Sequence, residues 1–212
     1  MKIAVALFDR VTALDAVGPY EMLQRVPDLD VVFVGHEVGE IRSENGMLGL
    51  LVDATFDQVP FPDVLLMPGG VGTRALLTDE RVLDWVRTAH RTTLLTTSVC
   101  TGSLVLAAAG LLEGLPATTH WSVYDVLEKL GARVEQERVD PLWNERIVTS
   151  AGVSSGIDMA LTIISHLVDD TAAMAAQLLT EYDPQPPFDS GSVAKATPEV
   201  KQRAREYALL RS

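Results

Sequence analysis

A single cysteine, Cys100, occurs in 212 residues, which excludes an intramolecular disulfide and any cysteine-rich metal site. Positive charge is also short: 17 Lys and Arg stand against 29 Asp and Glu, for a formal net charge of −12. Non-specific attraction to nucleic-acid backbones or to anionic membranes is therefore not expected, and the acidic surface is read as serving solubility. Long hydrophobic runs are missing too. The longest apolar stretch, 104–112, falls well below the ~18 residues of a membrane span. The opening run meets Asp9 and Arg10 too soon to form a signal-peptide apolar region. The expectation is a soluble, cytoplasmic protein.

What is present suits a folded enzyme-sized domain: 47% apolar and 22% charged residues support a sizeable core. Short β-rich runs alternate with helical ones, which predicts βα units and a largely parallel central sheet with helices on both faces. Strands are expected at 2–8, 29–35, 63–67, 92–99, 133–139 and 147–150, with a hairpin or edge strand in 40–54. Helices are expected at 17–25, 79–90, 100–109, 121–130, 154–168 and 170–182. Residues 1–182 form the predicted single domain. Residues 183–212 read as a Pro-rich linker and a terminal helix over 198–210.

The segment Ser98-Val99-Cys100-Thr101-Gly102 lies between an uncharged β-branched strand and an Ala/Leu-rich helix. This is the layout of a nucleophile elbow, in which small neighbours allow a sharp turn that exposes the nucleophile. The following helix aims free amides at the sulfur and favours its thiolate. Pro68-Gly69-Gly70 ends the preceding strand, so the Gly70 and Thr101 amides are expected to pair as donors toward a developing negative charge. Gly70-Val-Gly72-Thr-Arg-Ala75 matches a dinucleotide fingerprint. However, the next strand lacks the acid that would bind a ribose, and the match is rejected. His36, His90 and His166 read as surface or core residues, and Trp85, Trp121 and Trp143 as core or pocket wall. No metal-ligand spacing stands out, and no cofactor is expected.

Five pieces in this order, Leu14-Asp15-Ala-Val-Gly18-Pro19, Pro68-Gly69-Gly70, Ser98-Val-Cys100-Thr101-Gly102, Ala117-Thr-Thr-His120-Trp121 and Ser150-Ala-Gly152-Val-Ser-Ser-Gly156-Ile-Asp158, resemble the ThiJ/PfpI superfamily. Its members share a flavodoxin-like, class I glutamine-amidotransferase-like fold. The resemblance is to the branch holding isonitrile hydratases and the ligand-sensing domains of AraC-type regulators, since Thr101, not histidine, follows the cysteine. Peptidase activity is not implied. The regulators carry a helix-turn-helix domain after this fold, where here a linker and one helix follow, so DNA binding through that motif is not expected.

The resemblance implies that Cys100 attacks a small isonitrile while Asp15 acts as acid and then base, giving an N-substituted formamide. It places Thr101 and the Gly69–Gly70 loop beside the substrate and His120 near the cysteine, and it implies a homodimer. Glu21 is a weaker candidate for the role of Asp15. Asp15 itself also reads as a helix N-terminal cap, and His120 as a packed or capping residue. The alternatives kept open are another cysteine-dependent activity of glyoxalase or deglycase type, and a non-catalytic ligand or redox sensor.

Overall fold

In the computed structural model, which describes residues 1–209, the first strand sends alternate side chains into two cores. Ile3, Val5 and Leu7 pack on one side of the sheet, and Ala4, Ala6 and Phe8 on the other. Burial on both faces is why this stretch is apolar without alternation.

The chain runs β1 (Lys2–Ala6), α1 (Ala13–Leu23), β2 (Asp30–Gly35), the hairpin β3 (Gly39–Arg42) and β4 (Gly49–Val52), then β5 (Ala54–Thr55) and β6 (Val64–Met67). After these come α2 (Thr73–Leu76), α3 (Glu80–His90), β7 (Leu95–Val99), α4 (Gly102–Ala108), β8 (Pro116–Ala117), α5 (Tyr124–Lys129), β9 (Arg133–Val134) and β10 (Val139–Leu142). The last elements are β11 (Ile147–Ser150), α6 (Ser155–Leu167), α7 (Asp170–Leu179) and α8 (Pro198–Leu209). The expected terminal helix is present. Its predicted last residue, Leu210, lies outside the described residues.

Seven strands form one sheet in the order β10-β11-β7-β6-β1-β2-β5. All neighbours are parallel except β10 and β11. One core receives Ala16, Met22 and Leu23 from α1, Ile163 and Ile164 from α6, and Ala176 from α7. The other receives Val82 and Val86 from α3, Leu104 and Leu106 from α4, and Leu127 from α5. This is the expected parallel α/β sheet covered on both faces.

Two differences from the sequence reading matter. Helix α1 begins at Ala13, four residues before the expected start, so Asp15 lies within its first turn. Gly18 and Pro19 inside the helix hid that start, and proline is tolerated there at the cost of one backbone bond. The stretch 133–139, expected as one strand, is divided: β9 pairs with β8, and β10 joins the edge of the main sheet. Parallel order brings the C-terminal ends of β1, β6 and β7 side by side, and the loops that follow them form one cluster.

Candidate active site

Strand β7 is fully buried from Leu95 to Val99 and stops at Cys100. Cys100 has φ +56°, a left-handed conformation that a non-glycine residue adopts only when its surroundings enforce it. The enforcement is visible. The Cys100 N–H donates to the carbonyls of Ser150 and Ala151, both at 3.0 Å. Its carbonyl accepts the hydroxyls of Thr119 at 2.9 Å and Ser103 at 3.2 Å. These four bonds hold the turn from the neighbouring β11, the 118–120 loop and α4, and the elbow expected from the sequence is in place.

Cys100 is 5% exposed, and its sulfur receives the backbone N–H groups of Val153 and Thr101. Val153 has φ +39°, another strained position for a β-branched residue. These two amides favour a thiolate, but burial and the neighbouring Asp15 carboxylate outweigh them and push the thiol well up.

Asp15 is 0% exposed. Its Oδ2 accepts the Gly69 N–H at 2.8 Å, whereas Oδ1 is buried with no hydrogen-bond partner among the described residues. The carboxyl lies against Cys100, and loss of solvent raises its pKa to about 7, against the lowering pull of the Gly69 amide and the Cys100 thiol. The Glu44 carboxylate adds to the rise. Asp15 is therefore a placed acid and no helix cap; the residue preceding α1 is Thr12. Glu21 instead pairs with Arg25 on the exposed side of α1, away from this cluster.

The loop after β6 is tied down amide by amide. Gly69 N–H goes to Asp15, Gly70 N–H to Thr101 Oγ1 at 2.9 Å, and Val71 N–H to Glu44 Oε1 at 2.9 Å. A side chain on Gly69 would bring its Cβ to 2.6 Å from the Thr101 nitrogen and 2.8 Å from the Cys100 Cβ, so only glycine fits. Gly70 has φ +136°, which glycine alone adopts easily. The Gly70 and Thr101 amides were expected to pair as free donors, and the structure differs. A buried amide must find an acceptor; Gly70 N–H takes the Thr101 hydroxyl and Thr101 N–H takes the sulfur. The donor pair around the sulfur is Thr101 with Val153. The Thr101 hydroxyl, 4% exposed with its residue, also meets Thr73 Oγ1 at 3.1 Å.

His120 caps the 3-10 turn 121–123, its Nδ1 bonded to the Ser122 hydroxyl at 2.7 Å. The ring rests over Gly152, and no hydrogen bond joins it to Cys100 or Asp15 among the described residues. Burial lowers its pKa, with Arg74 adding to the fall. The capping reading fits this geometry. His36 pairs with Asp79, His90 bonds Thr96, and His166 stacks on Trp143. Among the described residues no group of three His, Cys, Asp or Glu side chains could hold a metal ion. No described helix is long and apolar enough to cross a membrane.

Glu44, Val153, Ser103 and the role of Thr119 escaped the sequence reading. Thr119 and Val153 sat inside quoted motifs, but their contacts with Cys100 are made by a hydroxyl and a backbone amide that no pattern marks. Glu44 lies in a Ser-Glu-Asn-Gly turn that reads only as a hairpin.

A parallel α/β sheet with a strained, buried cysteine at the end of β7 and an acid from the first helix beside it defines a thiol-centred α/β protein. The chain belongs to the DJ-1/PfpI family, whose model matches residues 1–166. It is 43% identical over 208 residues to an isonitrile hydratase of Pseudomonas putida, covering 98% of this chain and 90% of that one. It is 31% identical over 137 residues to the HTH-type transcriptional regulator GbdR of Pseudomonas aeruginosa, covering 63% of this chain and 37% of that protein. A crystal structure of a ThiJ/PfpI family protein from Pseudomonas syringae superposes with a TM-score of 0.92 at 36% identity, covering 98% of this chain and 86% of that one.

Proposed function

We propose that this protein hydrates small isonitriles to N-substituted formamides, with Cys100 as nucleophile and Asp15 as acid and base. The observation that carries the reading is the Asp15 carboxyl buried against the Cys100 thiol with its pKa raised to about 7. An ionised carboxylate beside a thiolate is repulsive, so the pair holds one proton between them over a wide range and titrates as a unit. The state with the proton on Asp15 and the charge on sulfur suits an isonitrile, whose terminal carbon must gain both a nucleophile and a proton.

In the first step the sulfur bonds that carbon while Asp15 gives it the proton, forming a thioimidate. The freed carboxylate then takes a proton from water as the hydroxide adds to the same carbon, and passes that proton to the nitrogen. Collapse forms the carbonyl, breaks the carbon–sulfur bond and returns the hydroxyl proton to Asp15. Sulfur leaves as a thiolate beside the amides of Thr101 and Val153. The net reaction adds one water and needs no metal or cofactor. The 43% identity to an isonitrile hydratase supports this substrate class.

The deciding experiment is incubation with a simple alkyl isonitrile while formamide is followed by NMR. Turnover that disappears in Cys100→Ala is expected; absence of turnover, or its persistence in that variant, removes the proposal. Conversion of methylglyoxal to lactate instead would move the reading to a glyoxalase type. One equivalent of peroxide taken up at Cys100 without any turnover would move it to a redox sensor. We further propose a cytoplasmic location and a homodimer; the dimer is supported by the β3–β4 hairpin, which exposes Met47, Leu48 and Leu51.

A further inference from the structure

Three consecutive amides, of Gly69, Gly70 and Val71, are each taken by a side chain from a different element, and the third acceptor is Glu44. Glu44 stands in the turn between β3 and β4, far in sequence from the elbow. Its own N–H donates to the Val11 carbonyl at 3.1 Å, so both its backbone and its carboxylate are fastened to the loops that end β1 and β6. With Val11, Ala13 and Val71 it lines a cavity of about 510 Å³, in which it is the one charged lining residue among the described residues. Ala13 opens the helix that carries Asp15, and Val71 follows Gly70, so these walls adjoin the catalytic pair on two sides. The charge of Glu44 reaches both Asp15 and His120.

The carboxylate does more than fasten a loop. Neutral acceptors would satisfy the Val71 amide equally, as the Thr101 hydroxyl does for Gly70. A fixed negative charge close enough to act on Asp15, the partner of a buried nucleophile that is itself an anion when it reacts, makes the approach of a second anion unfavourable, and the protein interior screens that repulsion poorly. We propose that Glu44 is a specificity-determining residue of this site: its carboxylate, fixed by the Val71 amide, rejects anionic electrophiles at Cys100 and reserves the site for isonitriles whose N-substituent is neutral or cationic. The substrate class rests on the function proposed above; the charge filter does not. Arg74 and Arg205, against the single carboxylate of Asp125, line a neighbouring cavity beyond Val71, together with Trp121 and Tyr124, so its described lining is net positive. Were substrates drawn in through that side, anions would be favoured, so the two arrangements give opposite results.

The test compares Cys100 alkylation by iodoacetamide and by iodoacetate, which differ chiefly in charge, in wild-type protein, Glu44→Gln and Glu44→Ala at low salt. The iodoacetate-to-iodoacetamide rate ratio, normalised to that of a free thiol, should be depressed about tenfold in wild type and restored in Glu44→Gln. Glu44→Gln retains an oxygen for Val71 N–H, so its geometry is kept while its charge is lost; Glu44→Ala should restore the ratio as well. An undepressed ratio in wild type, or the same ratio in Glu44→Gln, overturns the proposal. Should the variants fail to fold, the wild-type ratio must stay depressed when salt is raised, because ions screen a partly buried charge poorly; a ratio that salt returns to the free-thiol value would assign the effect to the surface charge of −12 and overturn the proposal. In turnover, methyl isocyanoacetate should be preferred over isocyanoacetate, and the preference should shrink in Glu44→Gln. If wild type turns over no isonitrile, the proposed function fails while the alkylation ratio still decides the role of Glu44.

Discussion

Asp15 lies against Cys100, both buried by the surrounding protein, and its carboxylate is one of the causes that keep the thiol protonated. The two groups therefore have one titration history, in which the first proton leaves near pH 7 and the second only in strongly alkaline solution.

That history sets the pH profile. Below about pH 7 both groups are protonated, and a neutral thiol is a poor nucleophile. Above it the pair carries one proton and can redistribute it to give thiolate and carboxylic acid. kcat/KM for isonitrile hydration should rise through about pH 7 and then level off, measured as initial rates from pH 5 to pH 9. A profile that falls through pH 7 would mean that the doubly protonated pair is the working form.

Asp15→Asn separates chemistry from stability. The amide cannot move a proton, so turnover should fall by about 10²–10⁴-fold. Stability should change in a pH-dependent way. In the folded protein Asp15 keeps its proton up to about pH 7, against the ordinary 3.8 of an aspartate in water. The folded state thus binds the extra proton across that window. The contribution of Asp15 to stability falls as pH rises from about 4 to about 7, by roughly 4 kcal/mol in all. Relative to Asp15→Asn, wild type should lose stability between urea unfolding at pH 5 and at pH 8.

Thr101→Val leaves the Gly70 amide buried without its acceptor, since Oγ1 is what receives that N–H at 2.9 Å. The loss should be about 1–3 kcal/mol in urea unfolding. Because the same loop carries the Gly69 amide to Asp15, turnover should drop as well. Thr101→Ser, which retains the hydroxyl, should recover most of both.

The fold was legible in the sequence because its strands are short apolar runs and α3 has a clean amphipathic face. The elbow was legible because strand, cysteine and small residues are contiguous. What escaped depends on distances that no pattern encodes. Asp15 was found through its motif, but its place in the first turn of α1 was obscured by Gly18 and Pro19 at the helix middle. The Gly70 and Thr101 amides were assigned correctly to one place, but their acceptors depend on how two loops meet, as where the Gly70 amide finds a hydroxyl 31 residues away. Glu44 and Val153 reach the site from the 43–48 turn and from the loop after β11. Only the finished sheet order brings these near β7.

Gly69 offers the sharpest test of that meeting point. An added methyl would lie 2.6 Å from the Thr101 nitrogen and 2.8 Å from both Asp15 Oδ2 and the Cys100 Cβ, so at least one of the three must move. The atoms it meets are backbone and the Asp15 and Cys100 side chains, with no flexible end to swing aside. Gly69→Ala should therefore lower kcat by at least about 100-fold while the two cores, which this loop does not build, retain the fold in circular dichroism. The displaced carboxyl should also stop titrating with the thiol, so the rise of kcat/KM near pH 7 should shift or vanish in whatever activity is left. A variant that kept both its rate and its pH profile would show that the close packing of Asp15, Gly69 and Cys100 is incidental to the chemistry.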